Sequence, residues 1–119
     1  MSHISVLQTK IIKPRTDILH LAGQLMTTHL DLFKELSIMN NGSITFKHDI
    51  SGRRFFAQVR NNKLEIIGDL WGTGLTQQQL AEYIEQWYYT ASSVKAFEEM
   101  GAETINVKVE MENVYVEAF

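Results

Sequence analysis

Asp69, Trp71, Gly72 and Gly74 are the residues whose types and spacing come nearest to a chemical site. They lie in the run Gly68-Asp69-Leu70-Trp71-Gly72-Thr73-Gly74, between a predicted strand and a predicted helix. Backbone N–H groups of a glycine loop at a helix start can hold a phosphate or carboxylate. A carboxylate at a strand end, beside an indole, is the chain's best candidate for a functional acid. The same residues have a plainer reading. A single Gly-x-Gly lacks the third glycine and the following lysine of nucleotide-binding loops, so a tight connection explains it. Asp69 is equally suited to bonding the loop backbone as an Asx turn.

The histidines offer less. His29 falls on the apolar face of a predicted first helix and reads as a core or interface residue. His20 points to the other side of that helix, so the two cannot share a metal within one chain. His3 and His48 could be neighbours if their strands pair, but two histidines without a carboxylate motif make a poor zinc site. With no cysteine in the chain, disulfides, thiol catalysis and thiolate metal ligation are excluded. No Ser–His–Asp order or paired-carboxylate pattern is recognisable. The sequence therefore predicts no metal site, no cofactor and no catalytic residue, and leans away from an enzyme.

The element that must position the loop is the long helix after it. Thr76 is a good N-cap, and Gln79 stands at the capping-box spacing. Leu75 and Leu80 can form a hydrophobic staple, and Gly101 is a natural stop. The helix is predicted from about Gln77 to about Met100, roughly 36 Å at ~1.5 Å per residue. Leu80, Ile84, Trp87, Ala91 and Val94 fall on one narrow face, which should lie on a sheet. Tyr89 points away from it, and Phe97 and Met100 lie round the side. A helix of this length overhangs a strand of ~17–20 Å, so its far end should pack on something else.

Elsewhere, Ile4 to Ile12 read as a first strand ending at Pro14. Thr16 or Asp17 can cap a helix with Ile18, Ala22, Leu25, His29, Leu32 and Leu36 on one face. Leu19, Met26 and Leu30 widen that stripe beyond what one sheet needs, which predicts burial by another chain. Three strands follow around Ile44–Ile50, Phe55–Val59 and Leu64–Ile67. Asn61 and Asn62 form a turn that tolerates positive φ. Ile105 to Met111 alternate, Glu112 and Asn113 offer a turn, and Val114 to Val116 begin the last strand. The order is β-α-β-β-β-α-β-β. The predicted fold is one α+β domain over 1–119, a ferredoxin-like variant with an antiparallel-rich sheet and both helices on one face.

The 119 residues are 45% hydrophobic and 21% charged, as expected of a globular chain. No apolar run is long enough for a membrane span, and no signal-peptide pattern opens the chain. The formal charge of −3 hides an asymmetry. Residues 1–63 carry nine Lys/Arg against four Asp/Glu, and residues 64–119 two against ten. Such a split can steer association. Lys47, Arg53, Arg54, Arg60 and Lys63 cluster around the predicted hairpins, but no nucleic-acid recognition motif accompanies them.

The opening Met1-Ser2-His3 with Thr9 and Lys10, the run Leu64-Glu65-Ile66-Ile67-Gly68-Asp69-Leu70-Trp71, the helix around Trp87-Tyr88-Tyr89 and the closing strand pair carry a resemblance. The chain resembles a small hypothetical chloroplast reading-frame family of cyanobacteria and algal plastids, of unknown function. The resemblance implies a cytoplasmic or stromal protein and supplies no catalytic residues. The segment from Asn40 to Arg60 departs from that pattern.

Two functions are compatible with these residues. One is a non-enzymatic interaction protein, oligomeric or part of a larger assembly, touching its partner through Tyr89, Met26, Leu30, Phe97 and Met100. The other is a small-ligand or anion binder, or an unusual enzyme, with a pocket at 69–74.

Overall fold

The computed structural model describes residues 4–119; the expectations placed on Met1, Ser2 and His3 lie outside them. The chain runs β1 (Ser5–Gln8), α1 (Thr16–His29), β2 (Phe33–Ile38), β3 (Ile44–His48), β4 (Arg54–Arg60), β5 (Lys63–Gly68), α2 (Gln77–Glu99), β6 (Ile105–Glu110) and β7 (Asn113–Ala118). Strands β1-β5-β4-β3-β2 form one sheet, in that order, and β6 and β7 form a separate hairpin. Every strand pair is antiparallel. The fold is α+β, with two helices packed on the same face of the five-stranded sheet.

That face is built by alternation. Leu7, Ile66, Ala57 and Ile44 are register partners across β1, β5, β4 and β3, and all are buried. Phe46 and Phe55 form the next row, with ring centroids 5.8 Å apart. Leu80, Ile84, Trp87, Ala91 and Val94 of α2 close over the sheet and α1, and all five are buried as the helical phase requires. The start of α2 has both capping-box bonds. Gln79 N donates to Thr76 Oγ1 at 3.1 Å, and Thr76 N donates to Gln79 Oε1 at 2.9 Å. Between β4 and β5 the turn residues Asn61 and Asn62 take φ of 52° and 60°, as a primed hairpin turn demands.

Three expectations need correction. The first helix is shorter than its apolar stripe suggests. It ends at His29, and Leu32 and Leu36 belong to the approach to β2 and to β2 itself, a strand absent from the predicted order. The last turn of α1 carries Thr27 and Thr28, whose hydroxyls bond back to the carbonyls of Gly23 and Gln24. Such side chains compete with the helix backbone, and pairing with β3, which buries Phe33 completely, outweighs further helix. Second, Met26 is fully buried in the core, so it is not an interface residue. Of the residues that widen the stripe, Leu19 and Met26 are buried inside the chain, while Leu30 is half-buried. Third, β6 and β7 leave the main sheet. They run back along α2, and near their turn Gln86 Nε2 donates to the Glu112 carbonyl at 3.1 Å. Their turn falls one residue early, at Met111 and Glu112, with Met111 at φ 57°. This layer stretches the molecule to 49 × 33 × 24 Å.

Candidate functional site

The loop from Asp69 to Gly74 is held by its own groups. Asp69 Oδ1 accepts from Trp71 N at 2.9 Å, the Asx turn, while Oδ2 accepts from Arg53 Nη1 at 3.2 Å. Arg53 also lies over the Trp71 ring, 5.7 Å from its centroid, a cation–π arrangement. Register places Phe55 opposite Gly68, so the start of β4 delivers Arg53 to the end of β5. Thr73 closes the turn: its N–H and its hydroxyl both donate to the Leu70 carbonyl, at 3.1 and 2.6 Å. The same hydroxyl accepts from Leu75 N at 3.1 Å.

This count bears on anion binding. The N–H groups of Trp71, Thr73, Leu75 and Thr76 are each bonded within the loop or cap. Gly72 and Gly74 take φ of 81° and 73°, where glycine is favoured for the turn itself. The loop thus has a structural reason for each of its unusual residues. Phosphate, nucleotides and small carboxylates are expected to leave the melting temperature unchanged. A bound anion at ~100 times its Kd would add about 2.7 kcal/mol, a shift readily seen in a thermal screen. A reproducible shift that vanishes in a folded Gly74→Val variant would restore the loop as a binding site.

The remaining candidates are separated. His20 Nε2 lies 2.7 Å from the Gly42 carbonyl. His29 is exposed and stacks on the buried Trp87 ring, with centroids 5.8 Å apart and planes within 8°. His48 is buried, with Nδ1 accepting from Ser51 N and 2.7 Å from Ser51 Oγ. Among the described residues no group of three or more His, Cys, Asp or Glu is placed to hold a metal. The basic cluster is largely paired. Lys47 hydrogen-bonds Glu35 and holds its carboxyl below the usual range, and Lys34 does the same to Asp49. Arg54 also reaches Glu35.

The surface features that remain are apolar or backbone in character. Tyr89 is half-exposed and Met100 strongly exposed, while Leu30 and Phe97 are half-buried. Leu30 lines a groove of about 520 Å³ between α2 and the hairpin, with Tyr83, Gln86, Val109, Met111 and Val114. A second groove, of about 440 Å³, lies between β1 and α2. Neither includes a residue of the 69–74 loop. Sequence reasoning missed both grooves.

Among the described residues no helix is long and apolar enough to cross a membrane. No protein-family model, curated protein or solved structure matches this chain.

Proposed function

We propose that this is a non-enzymatic interaction protein, which works as an oligomer or as a subunit of a larger assembly through the layer formed by β6, β7 and α2. One observation carries the reading. The hairpin has a continuous aliphatic face of Ile105, Val107, Val109, Val114, Val116 and Ala118, and not one of these residues is fully buried. A two-stranded sheet is marginal by itself, and α2 covers it incompletely. Met100, Met111 and Phe119 add exposed apolar surface at its ends, and Tyr115 is half-exposed on the hairpin's other face. Contiguous patches of this kind mark contacts. Leu30, Phe97 and Met100 border this layer, and Tyr89 lies on the outward side of the same helix.

The acidic half of the chain supplies this layer and the basic half the sheet, which favours a partner of opposite charge or a head-to-tail arrangement. A cytoplasmic or stromal setting and kinship with the plastid reading-frame family belong to the same proposal. So does a distant ferredoxin-like relationship, supported by two helices on one face of an antiparallel sheet; the departure of β6 and β7 weighs against strict equivalence. The ligand-binding alternative at 69–74 is less favoured, because Asp69 and the N–H groups of Trp71, Thr73, Leu75 and Thr76 already serve the loop.

Light scattering across a concentration series tests the homo-oligomeric form. The expected mass exceeds the 13.7 kDa of one chain at micromolar concentration, and Val116→Asp should return it to the monomer. A monomer at the highest attainable concentration would overturn the homo-oligomer and leave only a hetero-complex.

A further inference from the structure

The two edges of the five-stranded sheet are built differently. Edge strand β2 carries a bulge at Glu35, which takes φ 53°, and charged side chains at Lys34 and Glu35. Bulges and charges of this kind blunt an edge against strand addition. Edge strand β1 has regular register throughout and no charged residue between Ser5 and Gln8.

The bonding parity of β1 follows from one contact. Thr9 N donates to the Leu64 carbonyl at 3.0 Å, continuing the β1–β5 ladder, so Ser5 and Leu7 also turn their N–H and C=O groups towards β5. Val6, Gln8 and Lys10 therefore turn theirs outward. At Lys10 the outward N–H already has an acceptor: it donates to Glu85 Oε2 of α2 at 3.4 Å. Val6 and Gln8 have no such partner among the described residues. They open on the 440 Å³ groove, lined also by Lys10, whose far wall is α2 with Gln77, Gln78, Ala81, Glu82 and Glu85. Gln78 Nε2 donates to Glu82 at 2.9 Å, and no lysine or arginine forms an ion pair with Glu82 or Glu85 among the described residues.

We propose that the edge of β1 and the acidic wall of α2 together form a docking groove for an extended cationic segment of another protein, which adds to β1 as an antiparallel strand. Backbone bonds to Val6 and Gln8 hold the segment, and its alternate side chains enter the groove. A small or apolar residue fits over Ala81, and lysine or arginine beyond it, towards the C-terminal end of the helix, meets Glu82 and Glu85. Because β1 has only four residues, the ladder is short and the charge contacts must contribute much of the affinity. A second copy of this chain fits poorly. Twofold pairing of β1 with itself would set two α2 helices on one side of the seam, each turning Glu82 and Glu85 towards the other. The edge of β1 is separate from the β6–β7 layer, although Glu82 borders both grooves, so the proposal goes beyond the function argued above.

The probe is the capped peptide Lys-Val-Lys-Val-Lys-Val-Lys, titrated into isotope-labelled protein and followed by amide shifts and hydrogen exchange. Shifts are expected in 5–10 and 77–85, with slowed exchange at Val6 and Gln8. The same peptide with glutamate for lysine should give none. Val6→Pro removes one outward donor while leaving the β5 ladder intact, as proline permits on an edge, and should weaken binding about tenfold. Glu82→Gln with Glu85→Gln keeps the hydrogen-bonding shape, removes the charge, and should weaken binding at least as much. If Val6→Pro does not fold, the peptide tests the same bonds on the unaltered protein: N-methylation of one alternate set of its amides should abolish binding, and of the other set should not. Absence of binding overturns the proposal. So do shifts centred on the acidic hairpin, equal binding by the glutamate peptide, or equal binding by both methylated peptides. A dimer lost in Val6→Pro would give the edge to a second copy instead.

Discussion

Trp87→Ala is expected to destabilise the protein by about 3–5 kcal/mol, the range for removing a large aromatic from a core. Trp87 is completely buried and sits where α1, α2 and the sheet meet, with the His29 ring stacked on it. Its indole N–H is buried without a hydrogen-bond partner among the described residues, so the substitution breaks no bond and the loss is one of packing. Trp87→Phe should accordingly cost much less than the alanine change, because it keeps an aromatic ring and removes an unsatisfied donor. Two residues along the helix, Tyr89 is 54% exposed and touches Tyr88 edge-on at 6.2 Å. Tyr89→Ala should stay within about 0.5 kcal/mol of the parent. Urea unfolding of the three variants checks this. Equal large losses from Trp87→Ala and Tyr89→Ala would show that the packing of α2 is misassigned.

Gly68→Ala is the second large effect expected. Gly68 ends β5 opposite Phe55, and its φ lies in the ordinary strand range. The requirement for glycine is one of space. A Cβ built there would stand 2.2 Å from Phe55 Cδ1, 2.8 Å from Cε1 and 3.2 Å from the Arg54 carbonyl oxygen. Phe55 cannot swing aside, because its ring is fully buried and packed against Phe46. Overpacking of this kind costs about 1–3 kcal/mol, occasionally more. The ring is the obstacle, so Phe55→Leu should relieve part of the clash. The double variant Gly68→Ala/Phe55→Leu should be more stable than the two single losses predict, by about 0.5–3 kcal/mol of coupling. Strict additivity would mean that the strain arises elsewhere. The position also matters for the loop that follows: a shift of Gly68 moves Asp69 away from Arg53 and loosens the turn that starts α2.

Local chemistry was legible in the chain itself. The capping box of Thr76 and Gln79, the turn at Asn61 and Asn62, and the five-residue core face of α2 each depend on residues within a few positions of one another, so spacing alone specifies them. The stop at Gly101 belongs with these, since Gly101 takes φ 85°. The Asx role of Asp69 was open on the same grounds, because Trp71 N is two residues away.

What tertiary structure decided rests on partners distant in sequence. Leu32 and Leu36 continue the helical period of α1 by coincidence, and only pairing with β3 makes their segment a strand. Met26 lies on a stripe too wide for one sheet; the second surface that buries it is α2, about sixty residues later. Arg53 and Asp69 meet because the β4–β5 register brings Phe55 opposite Gly68, which turned a candidate functional acid into a loop anchor. The alternation of Ile105 to Met111 determines a strand but not its neighbour. Its place along α2, rather than in the main sheet, follows from where the chain leaves that helix and from β1 already occupying the place beside β5. The outward amides of Val6 and Gln8 depend on the same register. A period of two assigns side chains to faces, and only pairing with a particular neighbour decides which backbone groups remain open to a partner.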